Sequence, residues 1–212
     1  PIFKKGYVLY NADQARREAI DLGTILVVEG YMDVIALAQA GFRAAVAPLG
    51  TAVTVEHLQM LWRIVDTPVF CLDGDSAGER AMQRVSEMAL PLIRPGKSVR
   101  FATLPKGEDP DSLVQKQGKE AIERVIAQAS PLVDVIWRNH YANQRLQTPE
   151  ERAGAEQRLM AAVNMIQDKG VQQSYRQEMK DRLWQHGRMK QQAQSYSKSG
   201  AKRPPVQARL EP

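Results

Sequence analysis

The sequence predicts an α/β fold in which a parallel sheet is flanked by helices and is followed by an α-helical subdomain. Two observations support this prediction. Apolar strand patterns alternate with helical patterns between residues 24 and 104, as is typical of parallel strands joined by right-handed helical crossovers. After Pro105 the strand patterns stop, and only helical patterns follow up to about residue 190.

Four strands are expected in the first half of the chain. Residues 24–29 form a continuous apolar run that ends in a carboxylate, the kind of strand that is buried on both faces of a parallel sheet. The other three strands are predicted at 44–47, 69–72 and 99–104. Helices are expected at 13–22, 31–40 and 54–65, and in the segment where Ala81, Val85, Met88 and Leu92 are spaced by four, three and four residues.

The second half is predicted to contain helices at 112–117, 119–129, 131–144, 149–168 and 171–189. Thr148 followed by Pro149 and Glu151 has the pattern of a capping box, and Ser130 before Pro131 has the pattern of an N-cap. Gly170 suits the end of a helix. From residue 191 the composition is polar and basic with few bulky apolar side chains, which predicts a disordered linker or tail.

Composition narrows the class of protein. The hydrophobic content of 43% is ordinary for a globular chain of 212 residues. The single cysteine, Cys71, excludes an internal disulfide and any zinc site built on several cysteines, and it fits a reducing compartment. No run of about 18 apolar residues occurs, so no membrane span and no membrane partner are expected.

Charge is distributed unevenly along the chain. Residues 1–137 contain 15 Lys and Arg against 17 Asp and Glu, whereas residues 138–212 contain 14 against 7. A basic helical part beside a slightly acidic part is compatible with a nucleic-acid partner. The chain begins with Pro1 and lacks a signal-peptide pattern, which suggests a piece of a longer protein.

Carboxylates follow three of the four predicted strands. They are Glu29 and Asp33 after the first strand, Asp73 and Asp75 after the third, and Asp109 and Asp111 after the fourth. Because parallel strands end at one edge of a sheet, these groups are expected to converge there. Carboxylates placed together need a counter-charge, and a hard cation such as Mg²⁺ prefers oxygen ligands. The pattern therefore predicts a metal site of the kind that handles phosphates.

Each carboxylate also has a purely structural interpretation. Asp75 could only cap the helix that follows it, and Asp109 before Pro110 has the pattern of an N-cap with proline at the first helical position. It is the occurrence of acidic pairs after three separate strands that favours a metal site.

The acidic motifs resemble those of bacterial replicative primases, the DnaG family. The run Glu-Gly-Tyr-Met-Asp-Val from Glu29 to Val34, with its continuation to Gly41, closely resembles the first TOPRIM motif of that family. The segments 49–52, 73–78 and 107–113 resemble its later motifs in order and spacing. The resemblance is strong over residues 1–137, and it implies a TOPRIM-type sheet.

The resemblance also implies a function for the chain and a role for each of the acidic residues. The family makes RNA primers on single-stranded DNA, so the chain would be part of a DNA-directed RNA polymerase, a nucleotidyltransferase of the primosome. Catalysis and metal binding would fall to Glu29, Asp73 and Asp75, further metal ligands would be Asp109 and Asp111, and Asp33 would support them. The cofactor would be Mg²⁺, with Mn²⁺ as an alternative.

By the same resemblance, the chain would hold only part of such a primase. Residues 1–22 would end the preceding subdomain of the core, 23–105 would form the TOPRIM domain, 106–190 would form the helical subdomain, and 191–212 would form the linker.

The resemblance also implies ligands and partners. Zinc is expected only in an N-terminal module absent from the sequence. The implied partners are a single-stranded DNA template, ribonucleoside triphosphates, and the replicative helicase through an absent C-terminal domain. A monomer in the bacterial cytoplasm, at the replication fork, is expected.

Two other functions stay open from the sequence. The chain could be a fragment of a TOPRIM nuclease or topoisomerase, although no tyrosine is obviously placed beside the acids as a topoisomerase nucleophile. Alternatively, it could be a non-catalytic module whose basic helices bind nucleic acid. In that case, removing the acids would leave DNA affinity unchanged.

Overall fold

A computed structural model describes the backbone of residues 5–198 and the side chains of residues 5–188. The described residues contain one sheet with the strand order β1-β3-β2-β4-β5-β6. Its strands are β1 (Leu9–Tyr10), β2 (Leu26–Val27), β3 (Ala45–Pro48), β4 (Val69–Leu72), β5 (Arg100–Thr103) and β6 (Ser130–Pro131).

The four inner strands are parallel, as the sequence predicts. Strand β2 lies between β3 and β4, and β4 pairs with β5 over its full length, from Val69 opposite Arg100 to Leu72 opposite Thr103. Strands β1 and β6 were not predicted; they are antiparallel additions at the two edges. The predicted α/β class is confirmed, with a mixed rather than a purely parallel sheet.

Nine α-helices occur in the described part of the chain. They are α1 (Ala12–Leu22), α2 (Tyr31–Gln39), α3 (Val55–Leu61), α4 (Ser76–Ala89), α5 (Pro110–Gln117), α6 (Lys119–Ala127), α7 (Leu132–Trp137), α8 (Pro149–Asn164) and α9 (Lys169–Lys198). Short 3-10 helices occupy Lys5–Tyr7 and Leu90–Leu92, and a π-helix at Arg138–Ala142 continues α7. None of the described helices has both the length and the apolar character needed to span a membrane.

The core lies on both faces of the central strands. Every residue of β3 and β4 is buried, as expected for parallel strands covered by helices on both sides. The rings of Phe70 and Phe101 stack across β4 and β5 with centroids 5.8 Å apart. This buried centre holds the ends of β2, β4 and β5 in fixed relative positions, and the acidic motifs are attached to those ends.

The segment before α1 is fastened to the sheet domain through a buried histidine. His57 is fully buried, and its Nδ1 accepts a hydrogen bond of 3.3 Å from the Thr54 amide. Its Nε2 therefore carries the proton and donates to the carbonyls of Lys5 and Val8, at 3.3 and 3.2 Å. The role of this histidine is structural.

Three local predictions are wrong. Ser130 and Pro131 form strand β6 instead of starting a helix, because Ser130 pairs with Phe101 and α7 begins only at Leu132. Gly170 lies in the first turn of α9, where Asp168 Oδ1 accepts the Val171 amide at 2.9 Å. The expected disorder from residue 191 is wrong for 191–198, whose backbone is helical, and residues 199–212 lie outside the described part.

The sheet draws strands from three of the four segments into which the sequence was divided. Strand β1 comes from the segment 1–22, and β6 comes from the segment 106–190. Helix α5 of that last segment packs on α2. The boundaries between these segments stay predictions, and the packing shows that the flanking parts complete the sheet rather than merely adjoin it.

Candidate metal centre at the carboxyl edge of the sheet

The chain brings its acidic motifs together because they follow neighbouring strands. Asp73 comes directly after β4, and Glu29 lies two residues beyond β2, the strand beside it. The Asp73 amide points toward Glu29 Oε1 at 3.4 Å, a long hydrogen bond that joins the two strand ends. The predicted convergence of these two acids is therefore present in the fold.

The turn after β4 is locked to the loop after β5 by backbone hydrogen bonds. The Gly74 amide donates to the Glu108 carbonyl at 3.0 Å, and the Gly107 amide donates to the Gly74 carbonyl at 3.1 Å. A Cβ atom at position 74 would lie 2.2 Å from the Pro105 carbonyl oxygen. Only glycine allows this approach, which carries the 109–111 motif to the side of Asp73.

Asp75 has the capping role that the sequence allowed, and only one of its two carboxylate oxygens is used in that role. Its Oδ1 accepts the amides of Ala77 and Gly78, both at 2.8 Å, at the start of α4. Within the described residues, its Oδ2 takes part in no hydrogen bond or ion pair. One carboxylate can therefore cap the helix and offer its second oxygen to a ligand.

Asp33 and Asp109 connect the first acidic motif to the last. Asp109 caps α5 by accepting the Ser112 amide at 2.7 Å, and Asp33 accepts the Gly30 amide at 3.1 Å in the first turn of α2. The backbone amide of Asp111 lowers the pKa of Asp33, whereas the charges of Asp109 and Asp111 raise it, so all three groups lie close to Asp33. The starts of α2 and α5 thus meet at the carboxyl edge of the sheet.

The electrostatics of this edge are those of crowded carboxylates. Burial, followed by the charges of Glu29, Asp33, Asp109 and Asp75, raises the pKa of Asp73 from 3.8 to about 6. Burial is also the main reason why the pKa of Asp33 is raised. The neighbouring acids therefore lie close enough to Asp73 and Asp33 to oppose the ionisation of these two carboxyl groups, and a cation would relieve that repulsion.

The residues at this edge suit a divalent cation that is also bound by substrate. The Oδ1 atom of Asp73 is buried and has no hydrogen-bond partner among the described residues, so a cation could supply its missing interaction. Within the described residues, no three Asp, Glu, His or Cys side chains are grouped so that all could hold one ion. Mg²⁺ commonly takes one or two carboxylates and completes its coordination with water and phosphate oxygens. The donor set fits that mode of binding.

Two basic residues near the acids were not identified from the sequence. Asp73 and Asp75 line a cleft of about 500 Å³ together with Lys106. Glu29 lines a neighbouring cleft of about 300 Å³ together with Thr51 and Arg84. Lys106 stands beside the recognised 107–113 motif, a signal that could have been used. Arg84 is one of several polar residues of α4, and only the packing shows which way it faces.

The volume of a cleft is not what identifies the candidate site. A larger cleft, of about 580 Å³, is lined by Trp62, Arg63 and Arg94 in the segments that lead into β4 and β5. It therefore lies toward the amino ends of the strands, away from the acids. The convergence of carboxylates makes the carboxyl edge the candidate site.

Cys71 lies directly beneath the acids and is expected to be unreactive. Burial, with smaller effects from Asp33 and Asp73, raises the pKa of its thiol to about 12. At about pH 8 the folded chain should therefore give almost no reaction with Ellman's reagent, whereas one thiol should react in denaturant. Rapid labelling of the folded chain would contradict the buried position of β4.

Comparison with known proteins identifies the same region. The family model described as "Toprim domain" matches residues 23–103. The DNA primase of Rickettsia prowazekii is 40% identical over 185 residues, which cover 87% of this chain and 31% of the relative. The chain therefore spans about a third of the length of such relatives.

Solved structures of DNA primases share the fold. A DNA primase domain from Pseudomonas aeruginosa superposes with a TM-score of 0.79 at 43% identity, covering 85% of this chain and 57% of that one. A structure described as the DnaG primase catalytic domain bound to ssDNA superposes with a TM-score of 0.77 at 40% identity, covering 85% and 58%. The chain belongs to the DnaG family of bacterial DNA primases, in which it corresponds to the Toprim domain and the helical region of the catalytic core.

Proposed function

We propose that this chain supplies the acidic half of the active site of a primase, which joins ribonucleotides into short RNA primers on single-stranded DNA. The observation that carries the proposal is the crowding of carboxylates around Asp73 at the carboxyl edge of the sheet, in a chain that matches primase catalytic cores. Primer synthesis is assigned to the whole enzyme, of which a chain of this length would be one part.

In this proposal the acids divide into ligands and a supporting residue. Glu29, Asp73 and Asp75 bind Mg²⁺ or Mn²⁺, one or two of them to each ion, because they follow the neighbouring strands β2 and β4 at the same edge. The later motif adds Asp109 and Asp111, directly or through water. The half-buried Asp33, held by the Gly30 amide, supports the others by keeping α2 and α5 together.

The reaction is nucleotidyl transfer. The 3′-hydroxyl of the growing primer loses its proton to solvent, its oxygen bonds to the α-phosphorus of a ribonucleoside triphosphate, and the bond from that phosphorus to the pyrophosphate breaks. When bound, the divalent cation would neutralise negative charge on the phosphates and the carboxylates. The chain itself positions that charge, and Lys106 and Arg84 place two protein cations near the same edge.

The proposed partners follow from the reaction and, for the helicase, from the resemblance to primases. They are a single-stranded DNA template, ribonucleoside triphosphates and, in the bacterial cytoplasm, the replicative helicase, contacted through residues outside this chain. One solved relative is described as bound to ssDNA, which supports the DNA template as a partner.

The nuclease, topoisomerase and non-catalytic alternatives are not favoured, because the matches are to primases over both the sheet and the helical region.

The metal site can be tested by calorimetric titration with Mn²⁺, with and without a ribonucleoside triphosphate. Asp75→Asn retains the oxygen that caps α4 but removes the charge, so it is expected to stay folded. It should bind Mn²⁺ at least about tenfold more weakly than the wild-type chain, since even outer-shell partners are worth that much.

The control for this titration is Asp21→Asn, which removes one carboxylate from the exposed surface of α1. It should bind Mn²⁺ like the wild-type chain, and circular dichroism should show all three proteins folded. Equal affinity in the wild-type and Asp75→Asn chains would contradict the proposed ligand set. Failure of the folded wild-type chain to bind Mn²⁺ even with nucleotide present would contradict the metal site altogether.

A further inference from the structure

A second cleft continues from the acidic one along helix α4. Its volume is about 350 Å³, and it shares the lining residues Glu79, Met82 and Thr103 with the cleft that contains Asp73 and Asp75. The two clefts therefore form one groove, which runs from the carboxyl edge of the sheet toward the helical region.

The second cleft is lined mainly by hydrogen-bond donors. Helix α4 contributes Arg80, and the segment after α7 contributes Arg138, Asn139 and Asn143. In the part of the chain with described side chains, neither arginine has a salt bridge or a hydrogen bond to another side chain. Two unpaired guanidinium groups beside two amides favour an anionic ligand with several oxygen acceptors, such as a phosphate. Glu79, the one carboxylate of the lining, lies on the side shared with the acidic cleft.

The wall opposite α4 is a π-helix on a packed support. The π-helix Arg138–Ala142 follows α7 without a break. Its Tyr141 is buried, with its ring 4.7 Å from that of Trp137 and 5.4 Å from that of His186 on α9. π-helical turns are frequent at functional sites. Here the turn presents Arg138 and Asn139 to the groove from a backbone that the aromatic cluster holds in place.

We propose that this second cleft binds the phosphodiester backbone of a nucleic-acid strand that passes the acidic edge. The inference rests on the proposed function, because it is the reaction at the acids that requires a strand to pass there. A strand that passes the carboxylates and continues along the groove would have its next phosphates between Arg80 and Arg138. The strand is either the DNA template or the RNA–DNA hybrid, which have the same backbone chemistry.

The test measures binding by fluorescence anisotropy with two labelled probes of equal length, a single-stranded DNA and an RNA–DNA hybrid. The test variant is Arg80→Gln with Arg138→Gln. If each arginine contacts one phosphate, the slope of log affinity against log salt should become shallower by about 1.4 for the single strand or about 1.8 for the duplex. Affinity at low salt should fall about tenfold or more.

The control is Arg63→Gln with Arg94→Gln, which removes the same charge from the cleft at the other edge of the sheet. It should leave affinity and slope unchanged. A loss confined to the single strand would assign the groove to the template, and a loss confined to the hybrid would assign it to the product. Equal binding by wild-type and test-variant chains to both probes would overturn the inference. The inference would also be overturned if the wild-type chain bound neither probe. It would be overturned as well if polyglutamate displaced the probes as effectively as unlabelled DNA does.

The inference and the proposed function fail in different measurements. The variant with both Arg80 and Arg138 replaced should bind Mn²⁺ like the wild-type chain, because neither arginine lines the cleft that contains Asp73 and Asp75. Failure of the wild-type chain to bind Mn²⁺ would count against the proposed function. Unchanged nucleic-acid binding in the arginine variant, with Mn²⁺ binding intact, would count against the groove alone.

Discussion

Replacing Asp73 with asparagine is expected to abolish primer synthesis in the full-length gene product and to stabilise the metal-free fold at neutral pH. The first effect follows because Asp73 is the carboxylate on which the charges of the other acids act. Losing a ligand to a catalytic cation costs several kcal/mol of transition-state stabilisation, so primer synthesis should fall at least ~100-fold. The second effect follows because asparagine removes a half-buried charge that its neighbours repel.

The stabilising effect should depend on pH. The pKa of Asp73 in the fold, about 6, is above its ordinary value of 3.8, so the folded chain binds this proton more tightly than the unfolded chain. The stability that the group contributes is therefore fully present below its ordinary pKa and is lost as pH rises through about 6. Asp73→Asn should melt at a higher temperature than the wild-type chain at about pH 7.5, and the difference should shrink toward about pH 5.

Thermal melting in a chelator, monitored by circular dichroism, measures this difference. Adding Mn²⁺ should raise the melting temperature of the wild-type chain but not that of Asp73→Asn, because only the former is expected to bind the ion. Asp21→Asn serves as the matched control and should show neither the higher melting temperature nor the loss of primer synthesis. A folded Asp73→Asn enzyme that still makes primers would contradict the assignment of Asp73 to the active site.

Replacing Gly78 with alanine is expected to destabilise the chain although alanine is the better helix former. A Cβ atom at position 78 would lie 2.1 Å from the Asp73 carbonyl oxygen, which is backbone and cannot rotate away. Helix α4 or the strand end must move, and overpacking of this kind costs about 1–3 kcal/mol. That cost exceeds the gain of up to about 1 kcal/mol from helix propensity. The shift would also displace Asp73 and weaken Mn²⁺ binding.

Gly154 in helix α8 provides a matched control. A Cβ atom there would meet only the Arg158 side chain, at an ordinary distance of 3.5 Å. Gly154→Ala should therefore raise the free energy of unfolding by up to about 1 kcal/mol, measured by urea denaturation. Opposite signs for the two substitutions would confirm the close approach at Gly78. An increase in stability for both, with unchanged Mn²⁺ affinity in Gly78→Ala, would contradict it.

Local patterns were sufficient for the inner strands and for the helix starts beside the acids. Strand 69–72 was predicted with its observed bounds, because a fully buried parallel strand is a continuous apolar run ended abruptly by carboxylates. The capping roles of Asp75 and Asp109 were also predictable, since a cap depends on residues two or three positions away. The grouping of acids at one edge followed from the parallel order of the strands alone.

The edge strands could not be predicted in this way. Strands β1 and β6 are two residues long, and such a segment has no periodicity to detect. They exist because Leu9 and Tyr10 pair with β3, while Ser130 and Pro131 pair with β5. Their partners are about 30 or more residues away along the chain, so it is the finished sheet that selects them.

The chemistry of the site depends on distances and burial that no linear pattern contains. The sequence shows that Asp73 follows a strand and that Gly78 begins a helix. Only the packed structure makes Asp73 Oδ1 buried and unpartnered, brings Asp33 to Asp109, and leaves no room for a side chain at Gly78. The physical reason is that a raised pKa and a steric clash both arise from groups that are remote in sequence and become neighbours when the core excludes water.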